Sequence, residues 1–355
     1  HEPARALHSA WAVRTAGQRL MKRPLVSYCV PAYNVQHVLP ACIHSIFTEG
    51  MDDIEVILVN DASTDGTLEV ARQLARDDRR LRLLEHPYNM GLPCARNTAL
   101  LHAEGDFIRH IDSDDIVTAG STGSLLRAIE NADVARGSSR LFHVDGGDSY
   151  PMAWANTGIG DFEVEDVLQS DFFRCNALGY VWLYLYRAEF LQTLGNPEFE
   201  EGLNILEDDI YNAEVLPQAG RVAVTDTVVT LYRSGGMSSG KPWEFRQYLE
   251  QANALALVAG KLGHDAVYLS HYLNRKAAFV IEKTKAISAA GLSFPDVCAY
   301  AEVIRSVYAS QDISLYRERA GTPPKGFRSY PDADVQLMER IASGDIDLLF
   351  KELES

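Results

Sequence analysis

The chain has 355 residues, 46% of them hydrophobic and 23% charged, the composition of an ordinary soluble protein with room for one large domain and a smaller one. Its 33 basic residues against 49 acidic ones give a formal charge of −16, which argues against a nucleic-acid partner because phosphate backbones attract basic faces. Cys29, Cys42, Cys94, Cys175 and Cys298 are scattered and odd in number, so neither a disulfide framework nor a zinc site is indicated and a reducing cytoplasm fits.

No apolar run approaches the roughly 20 residues needed to cross a bilayer, and no secretory signal is present, so the protein reads as soluble or peripheral. Residues 1–23 are unlike the rest. Arg5, Arg14, Arg19, Lys22 and Arg23 alternate with Leu7, Trp11, Val13, Leu20 and Met21. Such a segment can lie on an anionic membrane, but its imperfect helical stripe favours a packed or linking helix. The chain begins at His1 without a Met, which suggests a piece of a longer protein.

From Leu25 onward, short β-rich runs alternate with helical patterns. Strands are expected at Leu25–Val30, Ile54–Val59, Leu81–Glu85 and Phe107–Ile111, and helices near 38–48, 67–76, 93–103 and 121–131. This alternation predicts an α/β domain with a largely parallel sheet covered on both faces. Ligands bind such sheets at the carboxyl ends of the strands, which makes three turns the places to read: Pro31–Asn34, Asn60–Ser63 and Asp112–Asp115. Beyond Gly137 the pattern loosens. An aromatic stretch, Tyr180–Tyr186, precedes Glu207-Asp208-Asp209, and Val222–Thr225 with Val228–Tyr232 reads as a strand pair. The run Ser234–Gly240 reads as a mobile loop and a boundary. From Trp243 the apolar positions, such as Leu255, Val258 and Leu262, recur at helical spacing, with further helices expected near 294–309, 332–341 and 345–353 and a break at Thr322-Pro323-Pro324. The expected division is therefore a basic segment 1–23, an α/β domain 24–240 and a helical domain 241–355.

Asp112-Ser113-Asp114-Asp115, directly behind a hydrophobic run, is the sharpest chemical signal. Clustered carboxylates at a strand end suit a hard divalent cation, and such a cation usually holds phosphates. The competing reading is an acidic turn that caps a helix beginning near Thr118, with Asp115 placed to do so.

Taken together, the strand ends resemble the inverting glycosyltransferases of family 2, of bacterial surface-glycan type, which have the GT-A fold. The resemblance runs from Pro24 to about Ser239. Val30-Pro31-Ala32-Tyr33-Asn34 is similar to the loop that lies against the nucleotide base; Tyr33 offers a ring for stacking and Pro31 stiffens the turn. Asn60–Thr67 is similar to the second loop, where Asp61 is expected to accept hydrogen bonds from the base or ribose and Asp65 to cap the following helix. Asn89–Asn97 resembles the segment beside the diphosphate: Gly91 permits close backbone approach, and Arg96 either meets the donor or organises the acidic cluster. The resemblance implies that Asp114 ligates magnesium or manganese, that Asp112 contacts the ribose or the metal and its water, and that Ser113 lies with them at the donor.

In the second half, Val181–Leu191 is similar to the acceptor-side segment, where Trp182 is either a sugar platform or core. Glu207-Asp208-Asp209 resembles the region of the catalytic base, which implies Asp208 as the base and Glu207 as an acceptor contact. Arg233 is left to supply charge to the diphosphate alone, since Ser234, Gly235 and Gly236 stand where some relatives carry a histidine.

The implied activity is transfer of a sugar from a nucleoside-diphosphate donor, UDP first, to a hydroxyl of a polysaccharide, oligosaccharide or lipid-linked glycan. The alternatives are a binding module of the same fold that has lost catalysis, and a nucleotidyltransferase, whose glycine-rich basic loop is missing after the first strand. A dehydrogenase is disfavoured by the lack of a Gly-x-Gly-x-x-Gly motif there. The implied location is cytoplasmic, with peripheral contact at the membrane's inner face as one option. For the C-terminal helices, acceptor binding, pairing into a homo-oligomer and membrane contact all remain open.

Overall fold

The computed structural model describes residues 24–142, 150–151, 160–163, 179–233, 243–263, 266–286, 292–316 and 330–344. The basic segment 1–23, the loop Ser234–Gly240, the Thr322-Pro323-Pro324 break and the helix expected at 345–353 lie outside the described residues. Among those described, no helix is long and apolar enough to cross a membrane, and Cys29, Cys42 and Cys94 are buried free thiols.

The expected alternation is present. β1 (Val26–Ala32), α1 (Leu39–Thr48), β2 (Ile54–Asn60), α2 (Thr67–Asp77), β3 (Leu81–Glu85), α3 (Leu92–Leu101) and β4 (Phe107–His110) follow one another in that order. β1 is buried at every position, as a central parallel strand covered on both faces must be. It pairs in parallel with β2, Val26 opposite Ile54, and with β4, Val26 opposite Phe107. Pro31 belongs to this strand, opposite Val59, and not to the turn after it. Proline at the first turn starts α1 (Pro40) and α3 (Pro93), where its missing N–H costs nothing.

The second half of the sheet is mixed. The order is β3-β2-β1-β4-β9-β6-β10-β5, in which β5 is Ile116–Val117, β6 Val134–Phe142, β9 Tyr184–Arg187 and β10 Arg221–Arg233. Short β7 (Tyr150–Pro151) and β8 (Gly160–Glu163) pair with β6 and β10 off this path. β9 runs antiparallel between β4 and β6, while β6 and β10 are parallel. β10 corrects the expectation of a strand pair: it is one strand whose register shifts between Val224 and Thr230. The irregularity is stitched in place, Ser138 Oγ donating to Asp226 O at 2.9 Å and Thr227 N to Thr225 Oγ1 at 3.3 Å. Opposite it, Gly137 has no room for a side chain, since a Cβ there would collide with Val229 Cγ1.

α4 (Ser121–Ala128) starts at the expected position near 121 and not near Thr118, as the helix-cap reading required, because the β-branched pair Ile116-Val117 first adds a short strand against β10. Its N-cap is Gly120, with no side-chain cap. After α5 (Ala188–Thr193) and α6 (Glu207–Val215) come the C-terminal helices α7 (Phe245–Leu262), α8 (Ala266–Lys285), α9 (Phe294–Tyr308) and α10 (Asp332–Ser343). Reciprocal capping boxes, Glu244 with Gln247 and Ser293 with Asp296, start α7 and α9. Tyr248, Leu255 and Val258 of α7 and Tyr300 and Ile304 of α9 are buried, and α7 also packs on α6. The helical region is thus joined to the sheet domain through α6.

Candidate active site

The turns after β1 and β2 form one unit. Asn34, in the left-handed region at φ 54°, turns its Oδ1 to the N–H groups of Thr64 (2.8 Å) and Asp65 (3.3 Å), while its own N–H donates to Ser63 Oγ. Asp65 accepts from Gln36 N and Thr67 N, so from the position before the N-cap, Gly66, it takes the first N–H of α2 and also holds the first turn. Tyr33 stands half-buried in this unit. Asn34, expected on the donor, is used to brace the two turns together.

Asp61 is 3% exposed. Its carboxylate accepts from Met90 N at 2.8 Å and Gly91 N at 2.9 Å and pairs with His86 Nδ1 at 2.7 Å. The base contact expected of Asp61 therefore meets a carboxylate whose oxygens already hold the 89–91 loop, with His86 a partner that no motif marked. Gly91 sits at φ 93°, and a Cβ would stand 2.9 Å from Asn204 Oδ1. The same oxygen accepts Leu92 N, so glycine is needed both for the backbone angle and for the approach of Asn204.

The carboxylate turn follows β4. Asp112 accepts from Arg96 Nη2 at 2.6 Å, with its side chain 27% exposed. Ser113 is buried. Arg233, at the end of β10, clamps the back of the turn: its Nε donates to Asp114 O at 2.7 Å and its N–H to Asp115 Oδ1 at 3.0 Å. Asp115 is therefore no helix cap but a fully buried anchor for β10, because the strand it supports is distant in sequence and close in space. Arg233, expected at the diphosphate, spends its Nε on the turn and lays its guanidinium over Phe142.

Burial, then Asp112, push Asp114 up to about 6. Burial and both neighbouring carboxylates raise Asp115 well above the usual range, and Asp115 Oδ2 is buried with no partner. A turn of hard oxygens this crowded with negative charge fits a magnesium or manganese ion, which would relieve the repulsion. Among the described residues no three or more His, Cys, Asp or Glu side chains converge to hold an ion by themselves. Asp114 and Asp112 would thus supply protein ligands to an ion whose remaining positions go to water or phosphate.

Arg96 links this turn to α6. It is 2% exposed, and its Nη1 donates to Glu207 Oε1 at 2.5 Å while Nη2 holds Asp112. Burial opposes the Arg96 charge, but Asp112 and Glu207 outweigh it and raise its pKa. Of the two roles open to Arg96, the structure shows the organising one. Glu207, expected to touch the acceptor, is buried against Arg96 instead. Burial pushes the Glu207 pKa up; Arg96 opposes this, and Asp208 and Asp112 add to it.

Asp208 is the half-buried member of the acidic trio, its two neighbours being buried. Tyr180 N donates to its Oδ2 and Asp209 N to its Oδ1 at 2.9 Å. Burial and Asp209 push its pKa up to about 6, against Arg96, Lys276 and the Tyr180 N–H. Asp209 points the other way, into the helical region, paired with Lys276 Nζ at 2.6 Å and accepting from Tyr272 Oη at 2.8 Å. Each carboxylate of the trio thus has a different partner, which the run of acidic letters does not disclose.

Trp182 is 3% exposed, stacked on Tyr232 with ring centroids 5.5 Å apart and tilted against Tyr180. That makes it part of the core under the Tyr180 turn and not an open platform. His110, unmarked in sequence, closes the floor beside Arg96 within an aromatic box of Phe199, Tyr186 and Tyr211. Burial, then Arg96, push its pKa down to about 3, so it is neutral.

Comparison with known proteins gives this geometry its context. Residues 27–180 match the model of Glycosyl transferase family 2. The chain is 33% identical over 218 residues to an uncharacterized glycosyltransferase, EpsJ, of Bacillus subtilis, covering 59% of this chain and 61% of that protein. It is 29% identical over 229 residues to the glycosyltransferase GlyA of Streptococcus pneumoniae, covering 61% of this chain and 32% of the other. The match thus spans less than two thirds of either relative. Among solved structures, Staphylococcus aureus TarS 1–349 in complex with UDP-GlcNAc superposes with a TM-score of 0.68 at 20% identity, over 93% of this chain and 90% of that one. A Pyrobaculum calidifontis mannosyltransferase, in complex with GDP-Man and Mn2+, does so with a TM-score of 0.53 at 17% identity, over 86% and 81%. At these identities the structural likeness is one of fold. The strand-end motifs, the parallel half-sheet with its antiparallel insertion and these matches agree: residues 27–180 carry a domain similar to the family 2 glycosyltransferases, and the chain has the GT-A fold with a C-terminal helical region.

Proposed function

We propose that this protein is a metal-dependent inverting glycosyltransferase that moves a sugar from a nucleoside-diphosphate donor, UDP first, to a hydroxyl of a glycan or lipid-linked saccharide. The observation that carries the proposal is the Arg96 bridge. One buried guanidinium spans Asp112 of the carboxylate turn and Glu207 of α6, so the donor-side turn and the neighbouring Asp208 are held in fixed relation. An inverting transfer needs this adjacency, since the acceptor hydroxyl loses its proton while its oxygen attacks the anomeric carbon from the face opposite the leaving diphosphate.

In this reading Tyr33 and the turns braced by Asn34 and Asp61 shape the base and ribose pocket. Asp114 and Asp112 face the diphosphate, and a magnesium or manganese ion held there supplies charge neutralisation for the leaving group. Asp208 takes the acceptor proton. A pKa of about 6 leaves it ionised at neutral pH and still basic enough to accept. The anomeric carbon–oxygen bond to the diphosphate breaks as the bond to the acceptor oxygen forms, with no covalent enzyme intermediate. TarS in complex with UDP-GlcNAc and the mannosyltransferase with GDP-Man and Mn2+ support a nucleotide-sugar donor and a metal.

The test is to incubate the full chain with manganese and a panel of UDP-, GDP- and dTDP-sugars and follow release of the free nucleoside diphosphate with and without oligosaccharide acceptors. Release from one donor class, lost in Asp208→Asn, is expected. Donor binding without release by wild type under any condition would turn the reading to a binding module.

A further inference from the structure

α8, from the C-terminal helical region, reaches the acidic trio of α6 through two buried side chains. Lys276 is 6% exposed and Tyr272 4%, and both meet Asp209 Oδ2, at 2.6 and 2.8 Å. Asp209 is fully buried, so its charge depends on this cation; an uncompensated buried carboxylate would either reorganise or take a proton. The consequence passes along the backbone, because the N–H of Asp209 is one of the two donors that hold the Asp208 carboxylate. A second contact steadies the same helix: Lys261 Nζ of α7 lies 2.6 Å from Glu214 Oε2 of α6, part-exposed at the surface.

We propose that Lys276 is a positioning residue for the transfer reaction: together with the Tyr272 hydroxyl it holds Asp209, and so fixes the first turn of α6 and the aim of Asp208 at the acceptor hydroxyl. The proposal rests on the reading of Asp208 as the base. It gives the C-terminal helices a part in catalysis besides any acceptor, oligomer or membrane contact.

The experiment measures steady-state transfer by the full chain carrying Lys276→Met, Lys276→Arg or Tyr272→Phe, with Asp208→Asn as the reference for a lost base. Lys276→Met is expected to lower kcat at least tenfold with the donor KM within twofold of wild type, and Lys276→Arg to recover most of that loss. Tyr272→Phe keeps the ion pair and the packing, so it remains informative where Lys276→Met does not fold; its kcat should fall severalfold at unchanged donor KM. Parallel loss of kcat and donor affinity in Lys276→Met, or normal kcat in it or in Tyr272→Phe while Asp208→Asn is dead, would overturn the positioning role and leave the proposed activity standing. Absence of transfer by wild type, or normal turnover by Asp208→Asn, would overturn the proposed function and this role with it.

Discussion

Arg96 and Glu207 stand 111 residues apart in the chain and 2.5 Å apart in space, joined by a buried charged hydrogen bond. The second arm of Arg96 holds Asp112 at 2.6 Å, so a single side chain from α3 ties the end of β4 to the start of α6. Replacing a buried partner of this kind leaves charges unpaired, and Arg96→Met should destabilise the fold by about 3–5 kcal/mol. Arg96→Lys, which keeps the charge but loses the planar fork, should fall between it and wild type. Urea unfolding measures both; a loss below about 1 kcal/mol in Arg96→Met would mean that water replaces the bridge.

Asp208 sets a pH dependence. As the proposed base it must be ionised, so kcat should fall with decreasing pH through an acid limb near 6. Stability runs the other way. The folded-state pKa lies above the ordinary value of 3.8, so the folded chain holds this proton more tightly, and the resulting stabilisation is present at low pH and lost as pH rises to about 6. Wild type should therefore lose stability relative to Asp208→Asn between pH 4 and 6, as measured by denaturation at each pH. A flat difference would place the pKa of Asp208 near its ordinary value.

Donor binding should depend on the metal through Asp114. With manganese and UDP-sugar at a hundredfold excess over Kd, the gain in folding stability is about 2.7 kcal/mol. Chelator, or Asp114→Asn, should remove most of the corresponding rise in Tm. An equal shift with and without chelator would show that the nucleotide binds without an ion.

Gly91→Ala tests the turn held by Asp61. At φ 93°, with Asn204 Oδ1 only 2.9 Å from where the new Cβ would stand, alanine should cost about 1–3 kcal/mol in backbone strain. Thermal melting reads the loss, and Asn204→Ala in the same background should recover only the steric share.

Trp182 separates core from platform. A buried, stacked indole predicts that Trp182→Ala loses about 3–5 kcal/mol of stability. A variant of near-normal stability with a raised acceptor KM would instead mark Trp182 as a sugar-binding surface.

The α/β alternation and the three strand-end turns were legible because they are local. Val26–Ala32 and Ile54–Asn60 are short apolar runs followed by turn residues, and parallel pairing makes those turns converge. The bond from Thr67 N to Asp65 was equally local, although the N-cap itself is Gly66. Asp115 and β10 were not, since the acceptor for Arg233 and the bulge opposite Gly137 arise only when strands distant in sequence pair. Asp61 and Trp182 were recognisable as special letters, yet their burial depends on the 89–91 loop and on Tyr232.

The sequence by itself determined the α/β core, the edge at which the strand-end turns gather and the chemical types found there, because periodicity and strand-end residues act over a few neighbours. Only the tertiary structure decided which charge meets which. Glu207 turns to Arg96, Asp208 to the Tyr180 turn and Asp209 to Lys276, three neighbours along one helix turn that diverge because successive side chains on a helix point about 100° apart and each finds a different packed element.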